Sequence, residues 1–587
     1  MNRTPRLTRL VAILATLPIA ACDADGDPER EPIGDLDPEY GKPVLDVDDS
    51  AVAKADSFDG GAGPVAGTFA STAVWKVTRR WYEKDAAAGI AWPADSSFTW
   101  DEKFARWVDS LERVDGLDRD TVQLTTPWGK SLPAPKLECA EAGIFLRATF
   151  ASWYGLPFYM AAGSQYFGHF GIVDKSGARI AGFPRFATDY KDHTSAFAGK
   201  SNADIVASWP HDTKLRARYL TAGKDDDNTF LGDGLYSGAY FDEIFLNKRT
   251  GHFMLRLLTY FGSMHLVSGQ NTFNIRPTAI REGDMLLERW QRQGIGHTII
   301  VRDVERLEGG KMAITTVFGS MPRVQPMWYE PALSASYFTS QLAGGEGTNW
   351  QGDKYAALGG GAKRWRTPVI KNGRWYNIVP QTDRTAFVDA ADLVAIAKRP
   401  AEFGALLGAL DPTDARDALL ARIEVARETL RQRPASCTNR QRREEAFSEL
   451  YTLSAEAFDL PRDEVDRAYR VLDDYVLPEL SYGQSKTCCW NHTTAEMYLI
   501  IMHMNEERVR GAATGQCVAP IPFEAKGGGY QVFADYAASI GQSAAWVAWT
   551  EDEPCAQRAV IDDTEVTHAW TDFCAVRDDV LTNTSDD

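Results

Sequence analysis

Between Leu137 and Phe158 the chain reads LECAEAGIFLRATFASWYGLPF, and this stretch constrains the fold more than any other. Almost every side chain in it is apolar or small. A helix apolar all round cannot lie on a surface, so other elements have to wrap it. The preceding Ser131–Lys136 segment, SLPAPK, resists helix through its two prolines, which sets the helix start near Glu138. Cys139 then stands at a helix N-terminus. There the free N–H groups and the helix dipole favour the thiolate, which is the nucleophilic form. Two readings compete. Either Cys139 is a nucleophile and the protein an enzyme, or it is a small buried hydrophobe, as free cysteine commonly is.

Compartment bears on that choice. Arg3, Arg6 and Arg9 form a basic leader, Leu10–Leu17 an apolar run too short to span a membrane, and Ile19-Ala20-Ala21-Cys22 a small-residue ending. This marks residues 1–22 as a secretory signal, and its ending resembles a bacterial lipobox. That resemblance implies cleavage before Cys22 and acylation of its thiol, hence a membrane partner through N-terminal lipid and a place in the bacterial cell envelope. The net charge of −18 argues against nucleic acid and against electrostatic docking on anionic lipid. Besides Cys22 and Cys139, six cysteines remain: Cys437, Cys488, Cys489, Cys517, Cys555 and Cys574. An even set confined to one region of an exported protein reads as disulfides, leaving Cys139 as the odd thiol.

Residues 23–65 are acidic and poor in apolar side chains, a disordered tether by composition. Folding is expected to begin near Pro64. Phe98–Val114 has helical spacing, and the Cys139 helix follows. LPFYMAAG, FGHFGIVD and ARIAGF read as short strands. Asp204–Leu220, interrupted at Pro210, and Tyr236–Leu266 read as helices. Asp284–Trp290, His297–Val304 and Lys311–Phe318 read as consecutive antiparallel strands, the last two joined at Glu308-Gly309-Gly310. Lys363–Val379 reads as a hairpin around Asn372-Gly373 that closes the sheet. Beyond Thr385 the pattern is helical, with Asp411 capping a helix that starts at Pro412. The expected class is α+β over residues 66–384 with a helical insertion, followed by a helical, disulfide-stabilised domain over 385–587.

A cysteine nucleophile needs a base within reach and a group that orients the base. His297 opens an apolar strand and is the first candidate. His169, in Gly168-His169-Phe170-Gly171-Ile172-Val173, is its rival. The ordered set Glu138-Cys139 at a helix head, Gly283-Asp284 before Met285-Leu286-Leu287, and Gly296-His297 before Thr298-Ile299-Ile300-Val301 resembles the NlpC-like cysteine amidases and peptidases. These are papain-fold enzymes that cut amide bonds in bacterial cell-wall peptides. The resemblance covers about residues 120–325. It implies a papain-like domain, Cys139 as nucleophile, His297 as base and a polar third residue near the end of the next strand, where Ser320 and Gln325 are on offer and Ser320 is assigned. It implies thiol-dependent amide hydrolysis of peptidoglycan peptides, with no cofactor. The chain departs from the family pattern in three ways. Cys139 and His297 lie 158 positions apart (297 − 139). Ala140-Glu141 replaces the Ser-Gly that the family favours, placing a carboxylate that opposes thiolate formation. No clear third residue follows the His297 strand. The alternative is a catalytically inactive papain-like binding or scaffolding lipoprotein.

Other motifs carry less. Gln484 through Trp490 with His568 superficially resembles a papain-type signature, but its spacing departs by one residue and its cysteines lie among disulfide candidates. No metal motif occurs: there is no His-Glu-x-x-His, and Asp225-Asp226-Asp227-Asn228 lacks the spacing of a calcium loop. Trp328, Tyr329, Trp350, Trp365 and Trp375 read mainly as core, with a minority available to line a sugar or peptide groove.

Overall fold

The computed structural model describes residues 62–583 except 68, 221–224, 293–295, 350–351, 409, 481–492, 513–515, 525–528, 548–565 and 568–572. Within that range the apolar stretch is helix α2 (Cys139–Trp153), with every residue from Ala140 to Ala151 buried. Its wrapping comes from three directions. Phe150 is ringed by Trp81, Trp92, Trp100 and Trp107, the last two from α1 (Trp100–Asp109), which ends short of the expected helix so that Glu112–Val114 can form strand β1. Arg147, the one cation in the stretch, lies 3.5 Å above the Trp81 ring and donates to Asp101 at 3.1 Å, so its charge is answered inside the core. Phe145 packs on Tyr240 and Phe241.

The third wall is a ten-stranded antiparallel sheet. Its strands are β1, β2 (Thr121–Thr125), β3 (Ser131–Pro133), β7 (Thr272–Ile275), β8 (Met285–Glu288), β9 (His297–Arg306), β10 (Met312–Phe318), β11 (Met327–Tyr329), β12 (Gly361–Trp365) and β15 (Phe387–Val388). They run in the order β1-β2-β11-β10-β9-β8-β12-β7-β15, with β3 on β2. The triplet β8-β9-β10 forms as consecutive antiparallel strands, as expected. Met285, Leu287, Ile300 and Val317 face α2. Leu286, Ile299, Val301 and Phe318 face the other way, where α9 (Pro331–Thr339) and α10 (Leu393–Leu406) cover them. The Asn372-Gly373 hairpin also forms, with both residues at positive φ as a two-residue turn requires. However, β13 (Thr367–Lys371) and β14 (Arg374–Ile378) make a separate ribbon, and it is β12 that enters the sheet between β8 and β7.

The insertion between α2 and β8 holds a three-stranded sheet, β4 (Tyr159–Ala162), β5 (Gln165–Gly168) and β6 (Gly171–Asp174), and the helices α3 (Phe186–Asp189), α4 (Asn202–Ala207), α5 (Thr213–Arg216), α6 (Ser237–Ile244), α7 (Lys248–Tyr260) and α8 (Ser263–Val267). ARIAGF forms no strand, only a bridge from Arg179 to Val173. The architecture is mixed α+β, and β15 and α10 tie residues just beyond 384 to the sheet body.

From α11 (Pro412–Gln432) onward the chain is helical: α12 (Cys437–Phe458), α13 (Arg462–Tyr469), α14 (Leu472–Val476), α15 (Ala495–Arg510), α16 (Gly529–Ser539) and α17 (Phe573–Asn583). Asp411 caps α11 by accepting from the Thr413 and Asp414 amides. The short β16 (Glu479–Leu480) and β17 (Val566–Thr567) pair beside these helices. Cys517–Cys574 fastens α17 to the segment that follows α15. Among the described residues no helix is long and apolar enough to cross a membrane.

Candidate functional site

Cys139 is the first residue of α2, and its thiol donates to the Gly296 carbonyl at 3.7 Å. The helix head thus abuts the main chain that leads into β9. Although the residue as a whole is half-buried, its thiol is crowded. Burial pushes it up to about 12 and the Glu138 carboxylate adds to this, while the Thr298 and Ala140 amides and Arg442 pull the other way. The carboxylate opposing the thiolate is therefore Glu138. Glu141 points elsewhere. It accepts from the Glu138 amide at 2.8 Å and from Arg323 Nε and Nη2 at 2.9 and 2.7 Å. Burial pushes its carboxyl up to about 7 against the pull of Arg323. Arg323 also reaches Asp225 at 2.6 Å and Glu138 at 3.3 Å. The helix start is braced by a buried ion-pair cluster that leaves Cys139 outside it.

His297 opens β9. Strand alternation sends Thr298 and Ile300 toward α2 and the His297 ring toward the opposite face. There it meets Phe318 edge-on at 4.6 Å and Tyr337 at 6.1 Å. Among the described residues its buried Nε2 has no hydrogen-bond partner. Burial, reinforced by Arg442, holds the ring well below the usual histidine range, so it is neutral at physiological pH. Among the described residues no hydrogen bond joins His297 to Cys139; the structure brings the thiol to the backbone on either side of His297 and turns the ring away.

Two residues of this corner had no motif to announce them. Glu288, the last residue of β8, is the register partner of His297 and only 3 % exposed. Arg442 reaches in from α12 and donates to Glu288 Oε2 at 2.7 Å, its guanidinium 5.6 Å from the Trp290 ring centre. Glu288 is legible in sequence only once the β8–β9 register is known. Arg442, 303 residues beyond Cys139 (442 − 139), is not legible at all.

The other expected site residues are placed as follows. Ser320, half-buried after β10, makes no side-chain hydrogen bond among the described residues. Gln325 accepts from the Leu117 amide and donates to the Ala134 carbonyl, both at 2.6 Å, and so ties loops together. His169 lies in the β5–β6 turn with Nδ1 2.8 Å from the Phe158 carbonyl. Its ring packs on Trp375 at 4.6 Å, and burial pushes it down to about 4. With Phe69, Trp75, Phe170 and Trp375 it walls an open pocket of about 410 Å³. Asp284 accepts Arg364 through both oxygens at 2.7 and 2.8 Å, a structural pairing.

The acidic run is spent on the protein itself: Asp225 on Arg323, Asp226 on the Leu220 amide, Asp227 on Lys136 Nζ and Asn228 on the Lys136 amide. His211, Asp242 and Glu243 bring ligand atoms within 4.8 Å of one another, but Lys130, Arg216 and Lys248 already neutralise them. Of the cysteines, Cys517 and Cys574 are bonded and Cys139 is free. Cys22, Cys488, Cys489 and Cys555, the Cys437 side chain, Gln484–Trp490 and His568 lie outside the described residues. No protein-family model, no curated protein and no solved structure matches this chain.

Proposed function

We propose that the protein is a thiol-dependent amide hydrolase of the bacterial envelope, tethered by lipid on Cys22 and acting on peptidoglycan peptides through a papain-like arrangement of helix and sheet. One observation carries this reading: the free thiol of Cys139 heads a buried helix and touches the main chain entering the strand that His297 opens. In the reaction Sγ bonds to the amide carbonyl carbon and the C–N bond breaks. The thiol proton passes through His297 to the leaving amine, and water then cleaves the thioester to the acid and free thiol. N–H groups at the start of α2 supply the oxyanion contacts. The observed corner corresponds to a resting state, since the ring must leave Phe318 to meet the thiol.

A second reading, a papain-like binding lipoprotein without turnover, is favoured by the thiol held up at about 12. Incubation of wild-type protein and C139A with cell-wall peptides separates the two. Release of new amino groups by the wild type alone supports the hydrolase. Equal retention of the peptides by both proteins, with no release, sinks it in favour of binding.

A further inference from the structure

Resting on the hydrolase reading, we propose that Glu288 is the positioning residue for His297, and that Arg442 of the helical region latches it in the resting state. Glu288 and His297 face each other across the β8–β9 pair. Opposed residues on one face of an antiparallel pair have Cβ atoms about 5 Å apart, within reach of a carboxylate–imidazole hydrogen bond. Both residues are buried, at 3 % and 8 % exposure, so a carboxylate here would be strongly felt. Yet among the described residues His297 Nε2 has no partner, while Glu288 is taken by Arg442, whose own buried Nε also has none. Buried polar atoms are nearly always satisfied, and two orphans flanking one ion pair describe a corner waiting to rearrange.

The other groups bearing on Arg442 are Glu445 on its own helix, Tyr337 on α9 and Cys139. None of them offers His297 a carboxylate across a strand pair. Moving Arg442 away, by a shift of α12 or by a competing anionic group on substrate, frees Glu288 to turn onto the ring. That contact fixes the imidazole and stabilises its protonated form beside a thiolate. The site is thus completed from two regions of the chain, with Arg442 reporting whether the helical region is docked.

The test reads the pH dependence of Cys139 alkylation by iodoacetamide, which needs no substrate, alongside peptide hydrolysis; circular dichroism checks folding. Losing the Arg442 charge acts by itself to raise the thiol, so the mark of a Glu288-held imidazolium is that R442Q nevertheless moves the alkylation limb down, by at least about one pH unit or tenfold in thiolate at fixed pH. R442K, keeping a charge, should move it less. The double variant R442Q/E288Q should return it to the wild-type position. E288Q alone should lower kcat about 10–100-fold with KM unchanged, as loss of an orienting group does. A limb unmoved or raised in folded R442Q, or one moved down equally in the double variant, overturns the proposal. Should R442Q not fold, E288Q decides: unchanged kcat overturns it. An Arg442- and Glu288-dependent limb in a protein with no Cys139-dependent hydrolysis would leave the latch standing and remove the hydrolase.

Discussion

His169 and His297 share a local sequence, Gly-His before an apolar strand, and sit in opposite situations. The His169 ring has its Nδ1 on the Phe158 carbonyl, and Trp75, Phe170 and Trp375 pack against it. The His297 ring is just as buried, but among the described residues its Nε2 is unmatched, with a free thiol 3.7 Å from the Gly296 carbonyl at its strand entry and a carboxylate opposite. The motif is the same; the partner inventory differs. A histidine with Nδ1 matched and aromatic rings packed round it is a building element, whereas one with an unmatched Nε2 beside a free thiol and a carboxylate marks a place for chemistry or movement.

The largest expected effect breaks the comparison on activity. His297→Ala should lower Cys139-dependent hydrolysis by about 10²–10⁴-fold, the usual worth of a general base. His169→Phe, which keeps the aromatic packing, should leave the rate within about threefold at temperatures where it is folded. Equal losses in the two variants would mean that neither ring is the base. Next in size is the thiol. With burial holding Cys139 at about 12 against an ordinary 9.0, its alkylation at neutral pH should run about 10³-fold slower than that of an exposed cysteine and climb about tenfold per pH unit. A plateau reached near pH 8 would show a thiolate already prepared, and the resting state would fall.

The third test uses the matched ring. His169 is pushed from 6.5 down to about 4 by burial. The unfolded chain therefore binds a proton in a range where the folded one refuses it. The stability this represents is intact above about pH 6.5, is lost as pH falls toward 4, and amounts to about 3 kcal/mol when fully lost. Urea unfolding of His169→Phe across that window should show a shallower pH slope than wild type by about this amount. An unchanged slope would mean the ring is more accessible than its packing indicates.

Much of this was within reach of the sequence, and the limits have physical causes. Short apolar runs mark β8, β9 and β10 because each is largely buried on both faces beside a turn. Pro412 after Asp411 marks α11 because both act locally. The entry of β12 between β8 and β7 is a non-local pairing that leaves no trace in period or composition. The same holds at the site. Cys139 at a helix head is a local fact. The direction of the His297 ring depends on strand parity relative to α2, the role of Glu141 on an arginine 182 residues away (323 − 141), and the fate of Glu288 on a helix of another region. Residue spacing finds the elements of the site but is blind to which face each presents.

The smallest effect concerns the glycine that both motifs share. A Cβ on Gly168 would lie 2.5 Å from the Phe158 carbonyl oxygen, and one on Gly296 would lie 2.6 Å from that of Glu288. In both places the glycine is there because a neighbouring strand passes too close for a side chain, so Gly-His before a strand records hairpin packing as much as catalysis. Gly168→Ala and Gly296→Ala should each cost about 1–3 kcal/mol, the usual range for overpacking, in denaturant unfolding. Their consequences should then part. Gly296 supplies the carbonyl that receives the Cys139 thiol, so Gly296→Ala should also alter the rate of Cys139 alkylation, while Gly168→Ala leaves it as in wild type. If both substitutions change the alkylation equally, the thiol is responding to general loosening of the fold, and its contact with the β9 entry loses its claim to be special.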